Sequence, residues 1–137
     1  MDTKLARMLQ RSVKEYNTEV AKRRAADPNW RPVLAGADLS GVDLGGSDLK
    51  EADLAEANLE GASLVWADLD RAHLTGTNLA RADLEGARLT GADLSEAQVY
   101  GAQFDGAILT RANFTGAKGL DEATKKIVIE LLKSTWT

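Results

Sequence analysis

The amino-acid sequence predicts an all-β solenoid with helical caps, and three observations carry that prediction. Leucine or an equivalent recurs every five residues across 36–116. A small side chain stands two residues before each, alanine in 13 of the 16 repeats, with Asp or Asn between them in 10 of 16. Glycine fills 9 of the 16 positions two residues after the leucine. A fixed internal period decides architecture before any local signal does.

The chain opens on a helix. Within 3–26, Leu5, Leu9, Val13, Tyr16 and Val20 recur at three- and four-residue steps, the stripe of one helical face. Lys4, Arg7, Arg11, Lys14, Lys22, Arg23 and Arg24 fall mostly off that stripe. Asp27-Pro28-Asn29 ends the helix, and Trp30 to Leu34 lead into the repeats.

The repeats fit neither ordinary element. On an α-helix five residues advance about 500°, so successive leucines would circle the axis. In a continuous strand an odd period throws each leucine to the opposite face. Within one repeat Ala and Leu lie two apart, so a short extended segment points both the same way. Both keep pointing inward only if the chain turns a corner between repeats. Gly41, Gly46, Gly61, Gly76, Gly86, Gly91, Gly101, Gly106 and Gly116 stand at that corner, where positive φ is cheapest. The chain therefore winds as a solenoid.

The A-[D/N]-L-x-x pattern over 36–118 resembles the pentapeptide-repeat family. The resemblance implies a right-handed quadrilateral β-helix with one repeat per side; the period alone does not count sides. Twenty residues per coil then gives about four coils and a rod about 20 Å long. Stacking at that interval sorts the inner side chains into four columns: Leu39, Leu59, Leu79 and Val99; Leu44, Leu64, Leu84 and Phe104; Leu49, Leu69, Leu89 and Leu109; Leu54, Leu74, Leu94 and Phe114. Val42, Ser47 and Thr77 depart from alanine and are small enough to be accommodated. The stretch Val13 to Leu34, with Tyr16-Asn17 and Asn29-Trp30-Arg31-Pro32, is similar to the helical lead-in of some bacterial members of that family.

After Gly119, Asp121 reads as an N-cap with Glu122 in the first turn. Ala123, Ile127, Val128, Leu131 and Leu132 supply the apolar face of a helix running to about Ser134. The expected organisation is a helical cap and lead-in over 1–34, the β-helix over 35–118, and a C-terminal helix over 119–137. That last helix closes the apolar end of the rod or pairs it with a second copy, because a solenoid needs its ends covered.

Composition fits one small cytoplasmic domain of 137 residues. No run approaches a membrane span, no apolar segment follows the N-terminal charges as a secretory signal requires, and there is no cysteine. The net charge of −4 hides an asymmetry: 1–35 carry +4, 36–118 carry −8, and 119–137 are balanced.

A search for catalytic chemistry is nearly empty, and no enzyme, cofactor or metal site is expected. His73, the one histidine, stacks between Asp53 and Asp93 and reads as an exposed member of a polar ladder. Ser95 follows Asp93 by two, but alternation is expected to send it elsewhere. Asp48 and Asp68 pair across coils, and two carboxylates without further ligands bind divalent ions weakly.

Binding is the remaining class. Trp66 occupies a corner column otherwise made of Gly46, Gly86 and Gly106, beside Val65. Its ring either lies over Gly86 with Arg88 against its face or anchors a partner, since exposed Trp is enriched at hot spots. Tyr100 shares that role from a different side. Glu51 with Arg71, and Lys50 with Asp70, are expected as surface charge pairs between coils. The basic helix face reads as solvated rather than as a nucleic-acid or membrane contact.

The leading functional expectation is a non-catalytic scaffold for protein–protein interaction. The alternative, implied by the family resemblance, is a DNA-mimicking inhibitor or protector of DNA gyrase. Duplex DNA of about 20 Å carries about 12 charges, against −8 here. Against it, a rod of that length imitates only about six base pairs, and no loop interrupts the repeat.

Overall fold

The computed structural model describes residues 1–133. Three helices flank the repeats: α1 (Thr3–Arg11), α2 (Val13–Ala26) and α3 (Glu122–Lys133). Between them run 14 parallel β-bridges, from Val33–Asp53 to Gln98–Lys118, and every one joins residues twenty apart. Four five-residue sides therefore make one turn. Each side contributes a single bridged residue rather than a long strand.

The ladder begins one repeat before Leu39. Val33 bridges Asp53, the Leu34 amide donates to the Asp53 carbonyl at 2.7 Å, and Leu34 is fully buried. Pro32 and Val33 stand where Ala and Asp stand elsewhere, which disguises a repeat already in phase.

Backbone bookkeeping explains the motif. Take the repeat Ala57-Asn58-Leu59-Glu60-Gly61. The Ala57 amide closes a turn on Leu54, and the Asn58 amide reaches back to Ala37. Those of Leu59 and Gly61 reach forward to Asn78 and Ala80. The fifth amide, Glu60, has no backbone partner and donates to the Asn58 side chain at 3.0 Å. All ten Asp or Asn at this position make that bond, as with Ser40 to Asp38 and Glu85 to Asp83. An unpaired polar backbone group is costly where water is excluded, so each repeat that carries Asp or Asn supplies its own fifth acceptor.

Inward, every column residue from Leu39 to Leu109 is essentially without solvent exposure. Phe114 ends its column half-buried, its ring edge-on to Phe104 with centroids 5.7 Å apart. The alanine position admits Thr77 because its hydroxyl donates to the Leu54 carbonyl at 2.7 Å. Ser47 has no such outlet, and its buried hydroxyl is unpaired.

At the corners seven non-glycine residues take φ near +60°: Glu51, Glu56, Trp66, Arg71, Arg81, Glu96 and Arg111. The side chains of Glu56, Trp66, Arg71, Arg81 and Glu96 lean over Gly76, Gly86, Gly91, Gly101 and Gly116, each one coil further on. A bulky corner residue is thus followed, twenty residues later, by a glycine that makes room for it. Glu51 meets Arg71 instead and forms an ion pair at 2.8 Å.

The single N-terminal helix expected over 3–26 is in fact two. Ser12 is extended (φ −160°, ψ 112°); its amide closes α1 on the Met8 carbonyl and its hydroxyl accepts the Glu15 amide to start α2. Ser12-x-x-Glu15 is the signature of a helix start, and the apolar stripe that continues through it masks the break. The break lets the two helices lie across the open face of the first coil, burying Leu5, Leu9, Tyr16 and Val20 in the same apolar cluster as the columns.

Polar groups of these helices also partner the edge of that coil. The Asp2 amide donates to Val33, and Gln10 Nε2 donates to the Asp38 carbonyl. Asn17 donates to the Gly46 carbonyl and accepts the Asp48 amide, as a neighbouring strand would. Arg24 reaches Asp48 Oδ2 at 2.5 Å and the Lys50 carbonyl at 2.6 Å. Arg23 bonds Asp2 and Glu19 and lies 5.4 Å from the Trp30 ring centre. Two of the seven basic residues read as solvated are therefore internal ties.

At the other end Asp121 accepts the Thr124 amide at 2.7 Å and opens α3. Val128 is buried, Leu120, Leu131 and Leu132 pack partly against the core, and Ile127 and Ile129 stay exposed. The expected end near Ser134 lies outside the described residues. The amides of Phe104, Leu109 and Phe114, which point beyond the last coil, have no partner among the described residues.

Two predictions follow from this architecture. Ser47→Ala removes a buried hydroxyl with no partner and raises stability by about 1 kcal/mol, whereas Leu69→Asp places an unpaired charge in the stack and prevents cooperative folding. Thermal melts of both variants check this. The second concerns acid. Burial opposes ionisation of Asp2, but the bond and charge of Arg23 and the amides of Leu5 and Lys4 together outweigh it and hold the carboxyl below its usual range; for Glu19 the bond from Arg23 is the main cause of the same lowering. Carboxyls depressed in the folded state stabilise above their unfolded values near 4, and that contribution is lost as the pH falls through the lower folded values. The melting temperature therefore declines below about pH 4, and Arg23→Met makes that decline shallower.

Candidate functional site

The columns fill the axis of the coil with leucine and alanine, so chemistry is confined to the outer surface and the ends. The four sides differ sharply in charge. The first (through Leu39) and third (through Leu49) mix acids with Arg or Lys. The second (through Leu44) carries Asp43, Asp83, Glu85 and Asp105 and no basic residue; the fourth (through Leu54) carries Asp53, Glu56, Asp93 and Glu96 with His73. On the second side none of the four carboxylates has an ion pair among the described residues, whereas Arg88 and Arg71 on the third are both paired.

Trp66 closes the second side at its corner. Its φ is +59°, and a Cβ built on Gly86 would lie 2.7–2.9 Å from the indole, so one ring face rests flat on that glycine. Left-handed backbone costs a non-glycine residue about 1–2 kcal/mol. Even so, the residue is 71% exposed. Val65 adjoins it, half-buried.

The other two candidate contacts lie elsewhere. Arg88 is not against the indole: it donates twice to Asp70 Oδ2, at 2.8 and 3.1 Å. Asp70 also accepts the Thr90 amide at 2.9 Å and is buried, so its partner is Arg88 and not Lys50. The Arg88 repeat lacks an Asp or Asn of its own, and Asp70 from the coil before supplies the missing acceptor. Tyr100, 54% exposed, belongs to the first side and packs against Gly119. The structure thus brings Val65 and Trp66 together and leaves Tyr100 and Arg88 apart from them.

The polar ladder on the fourth side is real, with His73 bridging Asp53 and Asp93. Ser95 does not point away: its amide and hydroxyl bond Asp93 and, with Thr75 and the charge of His73, hold that carboxyl below its usual range despite partial burial. Asp48, weighed as half of a cation pair with Asp68, is taken up by Arg24. Among the described residues no group of three His, Asp or Glu is arranged to hold a metal ion, and no helix is long and apolar enough to cross a membrane.

One recess has no counterpart among the sequence expectations. Where α1 gives way to α2, a groove of about 590 Å³ opens between Leu9, Gln10, Arg11, Ser12 and Val13 and the first coil at Gly41, Val42, Asp43 and Gly45. It lies at the head of the second side, and the Asp43 amide there has no partner among the described residues. The helix break that creates it could have been read from Ser12 and Glu15.

Comparison with known proteins assigns the class. The family model for pentapeptide repeats matches in 8 copies, over 33–71, 67–102 and 89–118. The chain belongs to the pentapeptide-repeat family, whose members form right-handed quadrilateral β-helices. Among solved structures it is similar to HetL of the cyanobacterium Nostoc sp. strain PCC 7120, a pentapeptide-repeat protein involved in heterocyst differentiation regulation. That match has 40% identity and a TM-score of 0.66 over 68% of this chain and 43% of HetL. A pentapeptide-repeat protein of the Arabidopsis thaliana thylakoid lumen matches with 30% identity and a TM-score of 0.52, over 73% of this chain and 76% of its own. The chain thus spans less than half of HetL. No curated protein matches it.

The seat of Trp66 yields a prediction. Gly46 and Gly86 both hold φ near +69°, but only Gly86 faces the indole; a Cβ on Gly46 would meet nothing within 4 Å. Gly86→Ala therefore destabilises more than Gly46→Ala, by about 1 kcal/mol or more beyond the shared backbone cost, and displaces the ring. Melts and near-ultraviolet spectra of the two variants measure the difference.

Proposed function

We propose that this protein is a non-catalytic pentapeptide-repeat scaffold that binds another protein through its outer surface, with α1 and α2 capping its first coil. The carrying observation is Trp66, a large aromatic side chain kept 71% exposed on a strained corner. Tryptophan is enriched among interface anchors, and one held in place by a rigid scaffold has little side-chain freedom left to lose on binding. The exposed Ile127 and Ile129 on α3, and the last-coil amides of Phe104, Leu109 and Phe114 that have no partner among the described residues, support a second contact at the C-terminal end, with another copy of the chain.

The test is quantitative crosslinking in the native cell with the wild type and Trp66→Ala. The reading expects a discrete partner whose recovery falls about tenfold or more in the variant. Equal recovery would overturn Trp66 as the anchor. For the end contact, light scattering should return twice the 14.7 kDa chain mass, and the chain mass after deletion of 121–137. A monomeric full-length protein would leave α3 as an end seal only.

The second reading, gyrase inhibition or protection by DNA mimicry, draws on one observation: the two sides free of Lys and Arg, the second and the fourth, lie opposite each other. Mixed charge on the other two sides and a rod about 20 Å long oppose it. A supercoiling assay with purified protein is expected to show no inhibition at micromolar concentration. Inhibition that vanishes on reversing Asp43, Asp83 and Glu85 to Lys would replace the scaffold reading with this one.

A further inference from the structure

We propose that the second side receives a positively charged, extended segment of the partner protein, with a Lys or Arg side chain seated on the open face of the Trp66 indole. This rests on the scaffold reading above and adds to it the face used and the charge of what it binds.

Three independent observations meet on this side. The first is charge without compensation. Asp43, Asp83, Glu85 and Asp105 stand on it with no Lys or Arg among them and no ion pair among the described residues. The acids of the third side are balanced by Arg24, Arg71 and Arg88. An unbalanced patch raises the local concentration of cations and speeds the approach of a basic partner.

The second is the ring. One face of Trp66 is covered by Gly86 and the residue remains 71% exposed, so the opposite face is free to take a cation. The ring attracts a cation placed over its face, and Glu85, whose carbonyl accepts the Trp66 amide at 3.0 Å, puts an acidic residue on the adjoining coil. Val65 adds apolar contact for the stem of the incoming side chain.

The third is the end of the side. Asn17 meets the Gly46 carbonyl at the corner of this side, and the Asp43 amide, without a partner among the described residues, faces the groove lined by Ser12. Four coils at about 4.8 Å spacing give the side a height of about 14 Å, which an extended segment spans in four or five residues. Alternation then turns every second residue toward the acids. The fourth side is as acidic but carries no exposed aromatic residue and is already threaded by bonds among Thr75, Asp93, Ser95 and Asn113.

Two fluorescein-labelled heptapeptides serve as probes, one alternating Lys or Arg with Thr and Val, the other with Glu in place of each basic residue. Binding is read by anisotropy. The basic peptide binds and the acidic one does not. Trp66→Ala weakens binding about tenfold. Asp83→Asn with Glu85→Gln and Asp105→Asn weakens it at least as much and flattens the salt dependence; Asn at 83 keeps the turn bond, so the coil is preserved. The matching set on the fourth side, Asp53→Asn with Asp93→Asn and Glu96→Gln, changes binding less than about twofold. Equal losses from the two sets, or full affinity in Trp66→Ala, would reduce the interaction to general charge and overturn the proposal. A neutral or acidic partner that crosslinks through Trp66 would also overturn it while leaving the scaffold reading in place.

Discussion

Backbone amides that must find acceptors at a twenty-residue step are the constraint on which the rest of this structure depends. A coil of four short sides places each backbone directly over the one before it, and three of the five amides in a repeat are satisfied by that stacking. A fourth closes the turn. The close approach of four walls leaves room along the axis for leucine and, two residues earlier, for little beyond alanine. It also requires left-handed backbone at each corner, where glycine predominates and a larger residue is admitted where the next coil offers a glycine beneath it or, as Arg71 does for Glu51, an ion-pair partner.

The fifth amide gives the acidity of the rod a structural origin. Asp and Asn recur because their side chains accept the amide two residues on, and ten of them do so. Each aspartate spends one oxygen on the fold and presents its charge to solvent, so net negative charge alone is a poor guide to function here. What distinguishes one side from another is whether Arg or Lys answers that charge. The third side is answered and tied; the second is not, and it alone ends in an exposed tryptophan.

Much of this was legible in the sequence for a physical reason: the period repeats so often that the inward columns, the corner glycines and the stacking partners of His73 and Trp66 follow from counting in fives and twenties. What counting missed depends on single polar atoms. The break at Ser12 turns on one hydroxyl, hidden by an apolar stripe that continues through it. The burial of Asp70 turns on a neighbouring repeat, centred on Arg88, that lacks its own acceptor. The repeat at Leu34 was in phase but carried Pro32 and Val33 in place of the expected residues. The candidate contacts separated similarly: Val65 and Trp66 share a corner by sequence adjacency, whereas Arg88 was drawn away by Asp70.

Amide hydrogen exchange, read residue by residue by NMR, tests the backbone account most directly. The residues following Asp or Asn by two, such as Glu60, Ala80 and Glu85, are bonded and should exchange slowly. Their counterparts Val65, Thr75 and Tyr100, in repeats without Asp or Asn, should exchange fast. Thr90 is the decisive amide: its repeat has Arg88 at the acceptor position, yet it should be slow because Asp70 reaches it, and fast in Asp70→Ala. A Thr90 amide that exchanges as fast as Val65 in the wild type, or as slowly in Asp70→Ala, would contradict the claim that side-chain carboxylates complete the coil.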